Sequence, residues 1–193
     1  VIWVGQHAKA GTEYSHLTHT QSFAYVDLSV NGVSIGEFGQ FAMCASELGV
    51  RSIFAAGEEA LCREAEALVP GIVTAAVKRG TAPGKGDDLD AARYAKFHRA
   101  AIHSHPERAR EQIRAGAEKA LKEMPERIRS NPGHGLIGLE APFVRVVQLR
   151  EDGDAHPRCT CRDRHASSVI AVMNMPIKHA GKARKRKARK RKG

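Results

Sequence analysis

Short apolar runs alternate with helix-like segments in the first part of the chain, and this order constrains the fold more than any other feature. Residues 1–4, 50–56 and 72–77 have the length and apolarity of buried strands. Apolar residues recur at helical spacing over 37–48 and 58–68, between those runs. Strands that alternate with helices predict an α/β fold: a layered, mostly parallel sheet flanked by helices.

A hairpin and later elements are also predicted. Residues 22–30 alternate in polarity and lead into Asn31-Gly32, a strong hairpin turn before a short strand at 33–35. Farther along we predict a helix from Asp87 or Asp88 to about Ser104, a helix over 107–123, and a strand over 143–149. The Pro- and Gly-rich stretch 125–142 indicates a boundary, and the apolar run 167–175 is left without an assigned structure.

The chain is predicted to have three parts. Residues 1–125 form the α/β core, 126–177 a C-terminal extension of uncertain structure, and 178–193 a disordered basic tail. The net charge is +10, and nine Lys or Arg residues with no acid lie within 182–192, so the rest of the chain is near neutral. The tail could bind nucleic acid through phosphates, without specificity because it has no aromatic residue to stack on bases.

The four cysteines do not form a disulfide framework. Cys44 and Cys62 lie in helix-like segments and are predicted to be small core residues, which fits a reducing, cytoplasmic location. Cys159 and Cys161 stand between two histidines with the residue types of a zinc knot. Their Cys-x-Cys spacing is tighter than structural zinc sites use, so this site is not favoured. No run of about 18 apolar residues is present, so no membrane span is expected.

Three histidines and a glutamate stand at element ends near the start of the chain. His7 follows the first strand, His16 and His19 lie in the next loop, and Glu37 opens a helix-like segment. Imidazole and carboxylate together suit Zn²⁺. The spacing alone leaves two alternatives open: the histidines are ordinary loop residues, and Glu37 is a charge favoured at a helix N-terminus.

Several short pieces of sequence, in this order, resemble the zinc-dependent D-aminopeptidase family. They read GQHAKAGT (5–12), THT (18–20), VNG (30–32), GEFG (36–39), AGEE (56–59) and VPG (69–71). The resemblance covers roughly residues 1–125. That family cleaves short D-amino-acid peptides such as D-Ala-D-Ala, so the resemblance implies a zinc peptidase with a short peptide substrate that assembles as a homo-oligomer.

The resemblance also assigns residues. It implies that His7 and Glu37 are zinc ligands of a site with two ions, and that His19 is the catalytic histidine. Lys78 follows the third strand and could reach a substrate carboxylate, although a solvated charge at a strand end is the alternative.

Two departures from the family pattern set limits on these expectations. The loop between His7 and His19 is one residue longer, and nothing here corresponds to the family's Asp-x-Glu strand and Asp-x-His segment, which hold its other ligands. We therefore expect a chain that resembles the C-terminal two-thirds of a family member, lacks its N-terminal strands, and has little activity alone. The competing classes are a non-catalytic interaction module and a nucleic-acid binder that acts through the tail.

Overall fold

The computed structural model describes residues 1–178, so the predicted basic tail lies outside the described residues apart from Lys178. The elements follow one another as β1 (Ile2–Gln6), β2 (Tyr25–Val30), β3 (Val33–Ser34), α1 (Glu37–Glu47), β4 (Phe54–Glu58), α2 (Glu59–Leu68), β5 (Val73–Gly80), α3 (Ala91–Tyr94), β6 (Ala101–His103), α4 (Pro106–Ser130), β7 (Phe143–Leu149), β8 (Cys159–His165) and α5 (Val169–Met173). The strands form two four-stranded sheets, ordered β1-β4-β5-β6 and β3-β2-β7-β8.

The first sheet is the predicted α/β layer. β1, β4 and β5 run parallel, and β6 joins the edge in the antiparallel direction. α1 and α2 contribute Phe38 and Leu61 to a core with Ala55 of β4. α4 contributes Ala120 to a second core with Phe54. Every residue of β4 is buried because helices cover both faces, and the predicted mostly parallel sheet flanked by helices is confirmed.

The predicted helix from Asp87 or Asp88 to about Ser104 is wrong. Only Ala91–Tyr94 is helical in this segment, and Ala101–His103 forms β6 instead. β6 pairs with the end of β5, which would otherwise present an unpaired edge of N–H and C=O groups. The helix was predicted from Asp87 or Asp88 as an N-cap. Pairing between strands leaves no mark in such a local signal.

The second sheet is antiparallel throughout and grows from the predicted hairpin. Asn31 and Gly32 have φ angles of 50° and 83°, as a tight turn between β2 and β3 requires, so the hairpin prediction is confirmed. β7, the predicted strand at 143–149, pairs with β2, and β8 pairs with β7. The core of this sheet includes Leu28, Val147 and Val172. β8 and α5 were not predicted.

α4 is longer than the predicted helix, which ends at Glu123, and it continues through Pro125 to Ser130. Proline lacks the N–H of a helical hydrogen bond, so the sequence indicated a stop there. Arg127 holds the extra turn in place: its guanidinium pairs with Glu123 at 2.6 Å and donates to the carbonyl of Gly71 at 2.7 Å. The Pro- and Gly-rich stretch therefore starts inside a helix.

Of the two cysteines predicted to be core residues, Cys62 is buried and Cys44 is only partly buried. All four thiols are free, with Cys44 in α1 and Cys62 buried in α2. Burial raises the pKa of the Cys62 thiol to about 11, so it is an inert core residue at neutral pH. Across residues 1–178, no helix has both the length and the apolar character that a membrane crossing needs.

A buried arginine joins the two sheets. The Arg150 guanidinium is fully buried, lies 3.6 Å from the ring centre of Tyr94, and donates to the carbonyls of Tyr25 and Gly86. The Tyr94 hydroxyl in turn accepts the N–H of Gly11 at 2.8 Å. The second sheet is thus tied to the loop that follows β1.

His98 gives the fold a measurable pH dependence. Its ring is 3% exposed, its Nε2 lies 2.8 Å from the carbonyl of Gly84, and its Nδ1 has no partner among the described residues. Protonation would place a buried N–H without an acceptor, and burial lowers the pKa of His98 below its ordinary value. As pH falls below about 6.5, the unfolded chain takes up a proton that the folded chain refuses, so stability is lost.

We predict that H98Q, which can keep the donor to Gly84, flattens this dependence. The free energy of unfolding, measured by urea denaturation between pH 5 and 7, should fall less steeply in H98Q, by up to about 1.4 kcal/mol per pH unit. His105 is exposed, so H105Q is the matched control and should keep the wild-type slope. Equal slopes for wild type and H98Q would contradict the prediction.

Candidate metal centre

Three side chains converge near the C-terminal end of β1, in the first sheet. His7 is the residue after β1, Glu37 is the first residue of α1, and His19 lies in the loop between β1 and β2. His7 Nε2 lies 3.6 Å from Glu37 Oε2, and His19 Nε2 lies 3.6 Å from Glu37 Oε1. One ligand atom from each of the three lies within 4.8 Å of the other two. The structure therefore brings together the three residues that the resemblance assigns to the site, whereas His16 lies outside this group.

The tautomers of both imidazoles follow from their backbone contacts. His7 Nδ1 lies 3.1 Å from the carbonyl of Ala8, and His19 Nδ1 lies 2.7 Å from the carbonyl of Leu17. A carbonyl only accepts, so each Nδ1 carries the proton when the ring is neutral. Each Nε2 then turns a lone pair towards the Glu37 carboxylate, which is also an acceptor. Imidazole lone pairs that face a carboxylate repel it, and the arrangement becomes favourable when a cation lies between them.

The two histidine rings stack on each other. Their centres are 4.0 Å apart with an angle of 20° between the planes. Burial lowers the pKa of His7 from its ordinary value, and the neighbouring His19 and Lys78 lower it further, against the effects of Glu37 and the Ala8 carbonyl. The ring of Phe23 lies 4.9 Å from that of His19, so one side of the site is apolar.

Glu37 is held by a residue that the sequence did not single out. The N–H of Gln21 donates to Glu37 Oε1 at 2.9 Å, and the Gln21 side chain donates to Gln40 Oε1 at 2.9 Å. Gln21 has a φ of 61°, a conformation that few residues other than glycine adopt. The loop therefore carries local strain at the point where it orients the carboxylate.

A buried carboxylate fixes the loop that carries the histidines. Glu58, the last residue of β4, is 0% exposed. It accepts hydrogen bonds from the Ser15 hydroxyl and the His16 N–H, and a longer one of 3.5 Å from the Ala8 N–H. Those three donors are the compensation that a buried carboxylate requires. Glu58 thus holds both ends of the segment that leads from His7 towards His19.

A second carboxylate connects the chain segments that carry the two predicted ligands. Glu64 of α2 accepts the N–H of Lys9 and the N–H of Gly36, each at 2.9 Å. Burial raises the pKa of Glu64, opposed by these two hydrogen bonds and the charge of Lys9. The backbone beside His7 is therefore joined to the backbone beside Glu37 through one side chain.

Two glycines make room for this arrangement. A Cβ on Gly57 would lie 2.1 Å from the carbonyl oxygen of Gln6, and Gly57 has a φ of 158°. A Cβ on Gly80 would lie 2.3 Å from the backbone of Ser15. β4 can therefore approach the end of β1, and the histidine loop can lie directly on the end of β5.

The donor set fits zinc. Tetrahedral zinc with bonds of about 2.0–2.1 Å separates its ligand atoms by about 3.4 Å, close to the two 3.6 Å distances between imidazole and carboxylate. Zinc-bound histidines also commonly donate their second ring N–H to a carbonyl, as both do here. Within residues 1–178 these three side chains form the one group of three or more potential ligands.

The other candidates from the sequence lie apart from this group. β8 places Cys159 and Cys161 on one face, and the Cys161 thiol lies 3.4 Å from the carbonyl of Lys178, its acceptor. No third ligand joins them in a group, so the zinc knot is not assembled in the described part of the chain. Lys78 lies near the end of β5, paired with His103 of β6. Residues 182–192, proposed to bind nucleic acid, lie outside the described residues.

Comparison with known proteins supports the resemblance. The family model described as D-aminopeptidase matches residues 1–162, which extends past residue 125 into β8. A D-aminopeptidase of Bacillus subtilis (strain 168) is 33% identical over 78 residues, 40% of this chain and 28% of that protein.

A solved structure shares the fold. It is described as the Zn-dependent D-aminopeptidase DppA from Bacillus subtilis, a self-compartmentalizing protease, and it matches with a TM-score of 0.64 at 17% identity. The match covers 88% of this chain and 58% of that chain. The chain thus spans less than two thirds of the length of either relative.

Glu58 should be more important for stability than any neighbouring carboxylate. In E58Q the new amide would turn an N–H₂ group towards donors that now bond to oxygen, so we expect a loss of about 2–4 kcal/mol in the free energy of unfolding. E59Q changes the adjacent residue, whose exposed carboxylate pairs with Arg63, and should change stability by no more than about 0.5 kcal/mol. Urea denaturation measures both; equal losses in the two variants would show that Glu58 does not anchor the loop.

Proposed function

Because the chain belongs to the D-aminopeptidase family, we propose that its metal centre serves the zinc-dependent hydrolysis of short D-amino-acid peptides such as D-Ala-D-Ala. The observation that carries the proposal is the convergence of two imidazole Nε2 atoms on the Glu37 carboxylate, each 3.6 Å away. In the proposal, His7 and Glu37 hold zinc, and His19 is the catalytic histidine.

Zinc bound by these residues would supply the Lewis acidity that peptide hydrolysis needs at neutral pH. His19 would exchange a proton at Nε2 with the attacking water or the leaving amine. Its Nδ1–H, held by the carbonyl of Leu17, keeps the ring oriented and Nε2 free to accept. Gln21 keeps Glu37 aimed at both rings through its backbone N–H. The ring of Phe23 shields one side of His19 from water.

The resemblance implies two zinc ions, whereas the described residues gather donors for one. A catalytic zinc site normally has three protein ligands and a water. If His19 moves protons, two of the three donors remain for the metal. We therefore expect this chain, tested alone with added Zn²⁺, to turn over D-Ala-D-Ala well below an ordinary enzyme rate of about 10 s⁻¹.

Self-association is part of the proposal. The structural relative is described as self-compartmentalizing, which supports a homo-oligomer here. β1 is an edge strand of the first sheet, and Ile2 and Val4 on it are 45% and 52% exposed. Phe41 in α1 and Leu48 at the C-terminal end of α1 are 50% and 70% exposed. These apolar side chains are a surface that association could bury.

A reducing compartment such as the cytoplasm is also proposed, since all four cysteines are free thiols. The competing classes have less support. Nothing in the comparisons favours nucleic-acid binding or a non-catalytic interaction module, and the family match favours the peptidase.

Zinc titration of four variants tests the assignment. Competition with a chelating dye should show that H7A and E37Q bind zinc at least about tenfold more weakly than wild type, because each loses a ligand. H19A should keep nearly the wild-type affinity while losing any hydrolysis of D-Ala-D-Ala. H105A removes an exposed histidine from the start of α4 and is the matched control.

Two results would contradict the proposal. Wild-type zinc affinity in both H7A and E37Q would place the metal elsewhere. Loss of zinc in H19A to the same degree as in H7A would make His19 a ligand and remove it as the proton carrier.

A further inference from the structure

A second group of basic side chains lies beside the metal centre. Lys78 of β5 and His103 of β6 are directly opposite each other in the antiparallel pair, so their side chains point to the same face about 5 Å apart. The ring of His16 packs edge-on against His103 with 5.6 Å between ring centres. The three residues come from two neighbouring strands and from the histidine loop.

No acidic side chain of the described residues forms an ion pair with the Lys78 ammonium. The Lys78 side chain has neither a hydrogen bond nor an ion pair with any described residue. Glu58, its partner across the β4–β5 pair, is fully buried and already accepts bonds from Ser15 and His16. Glu59 is exposed and pairs with Arg63. The ammonium of Lys78 is thus free to bind an anion.

Two members of the group, Lys78 and His103, line a cleft along β5 and β6. The cleft has a volume of about 190 Å³, and Arg79 and the acidic residue Glu59 also line it. Burial lowers the pKa of His16 and the charge of Lys78 lowers it further; the same charge adds to the effect of burial on the pKa of His7. The charge of Lys78 therefore acts on His7, the candidate metal ligand, while Lys78 also lines the cleft.

We propose that Lys78 and His103, with His16 as a wall, form the subsite for the free α-carboxylate of the peptide substrate. The inference rests on the proposed function, because it places the carboxylate beside a scissile bond held at the metal centre. The carboxylate receives a charge-assisted hydrogen bond from the Lys78 ammonium and a second one from the imidazole of His103. Such a subsite favours peptides with a free C-terminal carboxylate over peptides whose C-terminus is amidated.

Ligand titration of the full chain, without metal, tests the subsite apart from catalysis. Nuclear magnetic resonance follows the ring signals of His103 and His16 while D-Ala-D-Ala or its C-terminal amide is added. The dipeptide should shift both signals, with an affinity about tenfold or more above that of the amide. K78M should abolish the difference, and K78R, which keeps the charge, should retain it. Lys96 is exposed, so K96M is the matched control and should behave as wild type.

The outcomes separate this inference from the proposed function. Equal shifts with the dipeptide and its amide, or an unchanged preference in K78M, would overturn the subsite. Competition by inorganic phosphate at equal affinity would also overturn it, in favour of a general anion site. Zinc affinity of K78M is measured in parallel: a subsite that fails while zinc still binds leaves the metal centre standing. If the chain binds no zinc but still prefers the dipeptide over its amide, the subsite stands and the proposed metal centre is contradicted.

Discussion

The buried carboxylate of Glu58 is the interaction on which the candidate site depends. A carboxylate with no exposure must have its oxygens satisfied by donors, and here the donors come from the loop that follows β1. A loop of this length on a sheet edge would otherwise lose much conformational entropy without compensation. Because Glu58 binds Ser15 and His16, the loop is held on the sheet, and His7 and His19 reach the same place.

Three glutamates near the site have different roles, and their surroundings decide which. Glu58 is buried and Glu64 is partly buried, and both accept hydrogen bonds from donors of the protein, so they hold backbone in position. Glu37 is also partly buried, but beyond the Gln21 N–H it faces two imidazole lone pairs. A carboxylate opposite two acceptors has capacity left for a cation, whereas a saturated one does not. This difference separates the candidate ligand from its supports.

Much of the site could be predicted from the sequence because its residues follow element ends. His7 comes directly after a strand and Glu37 opens a helix, and such positions in an α/β layer point towards one edge of the sheet. The role of Gln21 could not be predicted, since it acts through a backbone N–H and an unusual φ. The saturation of Glu58 depends on donors more than 40 residues away in sequence.

The fold shows the same division. The alternating strands and helices were predicted from local periodicity, and so was the Asn31-Gly32 turn. β6 was not, because its pairing with β5 is an edge contact that local spacing cannot report. The passage of α4 through Pro125 was also missed, since the contacts of Arg127 with Glu123 and Gly71 that stabilise it are not visible in a local pattern. Local sequence signals therefore predict the layers of helix and sheet. The added edge strand and the extra turn of α4 depend on tertiary contacts that those signals do not report.

X-ray absorption at the zinc edge, measured on the zinc-loaded chain, tests the central claim most directly. The metal centre offers imidazole and carboxylate at His7 and Glu37, whereas the zinc knot that the structure does not assemble would offer thiolate at Cys159 and Cys161. The account predicts only nitrogen and oxygen scatterers at about 2.0–2.1 Å, with the multiple scattering of imidazole rings. Sulfur at about 2.3 Å would contradict it, because the metal would then lie on β8 and not at the end of β1.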